Sequence, residues 1–170
     1  MTTRTAIGRT EVAGMSTLRT AVLFAATLTT GLSAGLFYSY ACSVMPGLAR
    51  LDDRGFVEAM QRINVAILNG WFMLSFLGSL VLILAAGALH LRGADRGVLL
   101  WIGVAAVCYI VMLAITAVVN VPLNDRLAAA TSPEAARAAF ETTWVRWNTV
   151  RALTSTAALA SLAWALHRAP

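Results

Sequence analysis

Charge is scarce in this chain and lysine is missing altogether: charged residues make up 12% of the 170 positions, and all 13 basic ones are arginine. With 59% hydrophobic residues and a mean hydropathy of +0.73, the sequence is too apolar for an ordinary soluble domain and too short for several domains. A net charge of +5 does not make it a nucleic-acid binder, because the arginines are spread through every polar connection instead of forming a basic stripe. Anionic lipid head groups are the expected counter-charge. Cys42 and Cys108 each stand alone in an apolar run, so neither a disulfide framework nor a zinc site is expected. The two histidines, His90 and His167, are poor ligand candidates, with Arg92 near the first and no carboxylate or cysteine beside the second; no metal and no cofactor is expected. Ion transport is disfavoured too, since no apolar run carries a central carboxylate or histidine.

What is present is a set of four apolar runs. Spans over about 20–45, 71–89, 98–119 and 147–166 predict an all-α, four-helix transmembrane bundle in up-down-up-down order. Residues 1–19, rich in Thr, Gly and Arg, read as a mobile N-terminal tail, and 20–168 as one membrane domain. The first run is too long for a secretory signal and lacks a cleavage pattern, so a retained helix is expected. Thr27, Gly31, Gly35 and Ser39 form a stripe of small side chains along it. Such a stripe suits close packing within the chain, or a homo-oligomer through Gly31 and Gly35. Pro46-Gly47 is expected to stop or bend that helix.

The first connection predicts a short amphipathic helix, capped by Asp52 or Asp53, with Phe56, Met60, Ile63, Asn64 and Ile67 on one stripe and Glu58 and Arg62 as a solvated pair. Asn69 is placed to cap the next helix. Leu91 to Gly97 reads as a tight connection between antiparallel spans. Arginines are nearly balanced between the two sides; because Arg151 lies inside the span and several others at its mouth pair with acids, both termini are expected in the cytoplasm, with the inner membrane of a bacterium as the expected location.

The third connection opens with Asn120-Val121-Pro122-Leu123-Asn124-Asp125-Arg126. Pro122 is expected to break the helix, and Asn120 and Asn124 to satisfy the freed backbone groups or to meet a ligand. Ser132 and Pro133 then start a helix that runs into span four. On it Phe140, Trp144, Asn148 and Arg151 fall on one face, with Trp147 four residues before Arg151. The uncharged run from Ala152 to His167 is only 16 residues, short of the about 20 a spanning helix needs. To span, the helix must therefore take in Asn148 and Arg151. Arg151 then either snorkels to the head groups or forms, with Asn148 and Trp144, a receptor for an anion or hydroxyl at the bundle mouth. The guest of such a receptor would be flat, aromatic and phenolic or quinonoid.

The series Gly31-Leu-x-Ala-Gly-Leu-Phe37, Met45-Pro-Gly-Leu48, Phe56 to Asn64 with Met60 and Gln61, Asn120-Val-Pro-Leu-Asn124 and Trp144-x-x-Trp-Asn-x-x-Arg151 resembles the anthrone oxygenase-like integral membrane family over about Leu18 to Leu166. The resemblance implies a four-helix membrane protein whose fungal relatives oxidise anthrones to anthraquinones with dioxygen and no known metal or flavin. On that reading Arg151 would pair with a developing oxyanion and Asp125 would be the nearest carboxylate to act as base. Asn120, Asn124 and Asn148 would donate hydrogen bonds, Asn64 would join them as a substrate contact, and Trp144 and Trp147 would stack on the rings. A non-catalytic carrier of quinone-like or lipid molecules, or a structural membrane subunit, would use the same features.

Overall fold

Proline decides the shape of two of the long helices. The computed structural model describes residues 3–91 and 96–169, with side chains from Gly14 onward. Helix α1 (Thr3–Ser39) does not end at Pro46: it widens into a π-helical turn at Tyr40–Val44 and resumes as α2 (Met45–Leu48). Helix α5 (Arg96–Ile115) behaves alike, with a π turn at Thr116–Asn120 leading into α6 (Val121–Ala128). A proline lacks the N–H of an α-helical bond and its ring presses on the carbonyl four residues back; one inserted residue relieves both demands without breaking the helix. The expected break at Pro122 is thus a widened turn, and the third connection shrinks to residues 129–132.

Between these come α3 (Asp53–Ala66) and α4 (Gly70–His90), and α7 (Pro133–Arg168) closes the chain. Local chemistry explains their starts. Asp52 Oδ1 accepts from Gly55 N at 2.8 Å and Asn69 Oδ1 from Phe72 N at 3.0 Å, each satisfying an otherwise orphaned amide. A Cβ on Gly55 would lie 2.8 Å from Asp52 Oδ1, so a larger residue there would require the capping carboxylate to shift. Ser132 stands at the N-cap of α7 with Pro133 in the first turn, but its side chain makes no capping bond. The backbone of 3–19, expected as a tail, continues α1, because nothing there interrupts a helix already nucleated by the apolar run after it. The heart of the expected tight connection, 92–95, lies outside the described residues.

No strand occurs among the described residues. Three helical stretches are long and apolar enough to cross a membrane: Gly14–Leu48, Gly70–His90 and Arg96–Ala128. Each turns large apolar side chains outward, as Leu32, Leu74 and Val107 do, which suits a hydrocarbon surrounding. Helix α7, 36 residues long, is not among the three, yet it packs along both α5 and α1, while α4 packs against α1 and α5. Where Gly31 of α1 approaches α7, an added Cβ would meet Leu159 at 3.5 Å; at Gly35 the space is open. In the middle of the helices the Tyr109 hydroxyl donates to the Phe76 carbonyl at 2.7 Å and lies 3.1 Å from Ser33 Oγ, tying α5, α4 and α1 together.

A second apolar cluster fills the mouth formed by α2, α3, α6 and the first half of α7. There Phe56 and Met60 are fully buried with Leu127, Phe140 and Trp144. Arg137 clamps it: Nε donates to Glu141, Nη1 to Asp53 and the Leu51 carbonyl, Nη2 to the Ala49 carbonyl, and the guanidinium lies 4.7 Å above the Phe56 ring. Chiefly the Glu141 bond holds its pKa above the ordinary arginine value. On the outer face of α3, Glu58 pairs with Arg54 at 2.8 Å and more distantly with Arg62 at 4.0 Å; these are exposed pairs of small energetic consequence.

The two halves of the chain repeat one pattern. Tyr40 to Pro46 and Thr116 to Pro122 are each six positions, and Phe56, Arg62 and Asn64 recur at the same spacing as Phe140, Arg146 and Asn148, with Met60 matching Trp144. The two phenylalanines meet edge to face at 6.2 Å, so the repeat is also a contact between α3 and α7.

Candidate functional site

Both π turns border one cavity. It encloses about 570 Å³ and is walled by α1 and its π turn, α3, the start of α4, the second π turn with α6, and α7. Apolar side chains dominate the wall, but Tyr40, Gln61, Asn64, Asn124, Asp125 and Arg151 also reach it. A mostly apolar hollow with a few convergent polar groups is the ordinary form of a small-molecule site.

Arg151 is the unusual member. It is 5% exposed, so it does not snorkel to the surface. Its Nη2 donates to Asn148 Oδ1 at 3.0 Å, one turn earlier on α7. The Phe37 and Trp144 rings lie 4.5 and 5.1 Å from its guanidinium carbon, a cation–π arrangement that partly replaces lost hydration. Its Nε is buried without a hydrogen-bond partner. Among the described residues the acidic groups that form ion pairs, Asp53, Glu58 and Glu141, do so with Arg54, Arg62 and Arg137, and none forms a salt bridge to Arg151. A buried cation without a counter-ion attracts an anion from outside the chain.

The asparagines divide into two kinds. Asn148 is buried and occupied, its Nδ2 donating to the Phe37 carbonyl at 3.1 Å while its Oδ1 holds Arg151. Asn120 is equally buried; its Nδ2 makes a long 3.5 Å bond to the Trp144 carbonyl and its Oδ1 has no partner. Neither lines the cavity. Asn124 and Asn64 do. Trp144 Nε1 donates to Asn124 Oδ1 at 2.9 Å, and using up that oxygen leaves the amide N–H groups of Asn124 for the cavity. Asn64 Nδ2 is buried and unpartnered. Gln61 is anchored through its nitrogen instead, Nε2 donating to the Leu127 carbonyl at 2.8 Å. Asp125 reaches the cavity from an exposed position and forms no ion pair with its neighbour Arg126.

Of the residues the sequence put forward, Asn64, Asn124, Asp125, Trp144 and Arg151 therefore meet at one cavity, Asn148 and Asn120 stand behind the wall, and Trp147, half-buried, does not line it. Four positions from Arg151 is close along a helix, but the inward face of α7 is centred on Trp144, Asn148 and Arg151, and Trp147 falls to its side. The sequence reading missed Tyr40, Phe37 and Gln61. Phe37 and Gln61 stood in the sequence only within the motifs of the resemblance, and the signal that bears on Tyr40 is the proline six positions after it.

No group of three or more His, Cys, Asp or Glu side chains that could hold a metal ion occurs among the described residues. A family model described as anthrone oxygenase matches residues 72–161, more than half of the 170-residue chain. No curated protein and no solved structure matches it significantly.

Proposed function

We propose, since the chain belongs to the anthrone oxygenase family, that its cavity binds an anthrone-like or phenolic polycyclic molecule and promotes its oxidation by dioxygen. In this reading the protein crosses the membrane four times, α7 being the fourth span. The observation that carries the proposal is Arg151: a buried guanidinium with no salt-bridge partner among the described residues, on the wall of a cavity of about 570 Å³ lined by Phe37, Tyr40, Phe72, Phe76 and Trp144.

The chemistry asks little of the protein. Loss of one proton from the methylene opposite the anthrone carbonyl, with Asp125 as the acceptor, gives an anthrolate whose charge rests largely on the carbonyl oxygen. Arg151 stabilises that oxygen, with the amides of Asn64 and Asn124 within the same cavity. Dioxygen adds at the deprotonated carbon, and protonation gives a hydroperoxide. Loss of the remaining C–H proton and of hydroxide, as the O–O bond breaks, leaves a second carbonyl and one water. The methylene gives up four electrons and dioxygen accepts four. Asn148 acts on this sequence by positioning Arg151, not by touching the substrate.

The test is the oxidation of a soluble anthrone by the purified, detergent-solubilised full chain, followed as quinone absorbance and oxygen uptake. Arg151→Met should slow it by about 10²–10³-fold, the usual effect of removing an oxyanion donor. Equal rates for folded wild type and variant would refute the assignment. A carrier of quinone-like or lipid molecules is the second reading, favoured by the apolar side chains Val65 and Leu68, both more than 70% exposed, on the cavity's edge. Saturable binding without oxygen uptake would select it.

A further inference from the structure

Tyr40 opens the first π turn and lines the cavity, yet neither the expected site nor the reaction above uses it. Its ring is held. It packs 5.5 Å from the Trp144 ring at 50°, within the cluster that includes Met45 and Phe56, and Trp144 is itself fixed by its bond to Asn124. The hydroxyl, by contrast, makes no hydrogen bond to the described residues and is not among the buried orphaned atoms, on a side chain that lines the cavity. Tyr40 and Arg151 meet at the same ring: the Tyr40 ring lies 5.5 Å from that of Trp144, the Arg151 guanidinium carbon 5.1 Å from it, and both residues line the cavity.

From this geometry we infer that Tyr40 is the second donor of an oxyanion-binding pair with Arg151, and that the pair selects flat apolar ligands ending in a phenolate or enolate oxygen. The inference rests on the cavity being the ligand site proposed above. A phenol with an ordinary pKa of about 10 is protonated at neutral pH and offers one O–H. Arg151 offers N–H groups only, its Nε unpartnered. A neutral carbonyl has one charge-assisted bond here, from Arg151, whereas an anionic oxygen makes both of its bonds charge-assisted and also neutralises the cation, so the anion gains more. The two donors stand on different elements, α7 and the π turn after α1, and both line the cavity in which the ligand oxygen would sit. Tyr38, two positions earlier and so about 200° around the helix, is 63% exposed and points outward.

The experiment uses alizarin, a hydroxyanthraquinone whose visible absorption shifts when it ionises, with the full chain in detergent. The probe is already a quinone and is not consumed. Its apparent pKa is read from absorbance against pH in empty micelles, with wild type, with Tyr40→Phe and with Arg151→Gln. Wild type should lower the probe's pKa by about one unit or more relative to micelles. Tyr40→Phe keeps the ring against Trp144, so binding should persist while at least about half of the shift is lost; Arg151→Gln should lose most of it. Tyr40→His, which retains a donor, should restore part of the shift and guards against a packing defect in the phenylalanine variant. A bound probe whose pKa is the same in wild type and Tyr40→Phe would overturn the assignment of Tyr40 and leave the cavity as a ligand site. If wild type does not bind the probe beyond empty micelles, the ligand-site reading falls, and this inference with it.

Discussion

Asn148 joins Arg151 to the neighbouring helix: its Oδ1 accepts from Arg151 Nη2 at 3.0 Å, and its Nδ2 donates to the Phe37 carbonyl of α1 at 3.1 Å. One amide therefore fixes both the direction of the buried cation and the contact between α7 and α1. Replacing it separates those roles. Asn148→Leu should cost about 1–3 kcal/mol through the orphaned polar groups, read as a lower melting temperature in detergent. Asn148→Asp instead gives Arg151 an internal counter-ion; the fold should survive while binding of an anionic ligand weakens by about tenfold or more. Unchanged binding in Asn148→Asp would mean that the free charge of Arg151 is not what the ligand meets.

Trp144 and Trp147 look interchangeable in sequence and are not in space. Trp144→Phe keeps an aromatic wall but removes the indole N–H that orients Asn124. It should raise KM several-fold, by about 1 kcal/mol, with a smaller effect on kcat. Trp147→Phe, off the cavity wall, should leave both constants as they are. Steady-state kinetics with a soluble anthrone distinguishes the two, and a Trp147 effect as large as that of Trp144 would count against the placement of the site.

Pro122 holds open the π turn that brings Thr116 to the cavity. Pro122→Ala restores a backbone donor, and a helix interior freed of proline gains up to about 3 kcal/mol of helix propensity. The variant should be as stable as wild type or more so, yet bind ligand less well, because closing the widened turn rotates the residues before it. Circular dichroism melts and ligand titration read the two effects independently.

Arg137 should matter for stability alone. It lies outside the cavity lining but ties α7 to the chain around Ala49–Asp53 through two carbonyls and a carboxylate. Arg137→Ala should destabilise the mouth by about 1–3 kcal/mol, seen as earlier loss of amide-exchange protection in α3. At a temperature where the variant stays folded, its activity should approach that of wild type.

Much of this was written in local sequence. Apolar runs set the spanning helices because hydrocarbon leaves a backbone no other partner. Asp52 and Asn69 announced their caps because a cap is settled within three residues. Helical spacing was enough to put Phe140, Trp144, Asn148 and Arg151 on one face of α7, and all four are buried. The tertiary structure decided which asparagines face the cavity, that Pro46 and Pro122 widen their helices instead of ending them, and that Tyr40 turns in while Tyr38 turns out. The reason is geometric. Periodicity places a side chain on a face of its own helix, but the rotation of each helix against its neighbours, reset by the single residue that a π turn inserts, determines what that face meets.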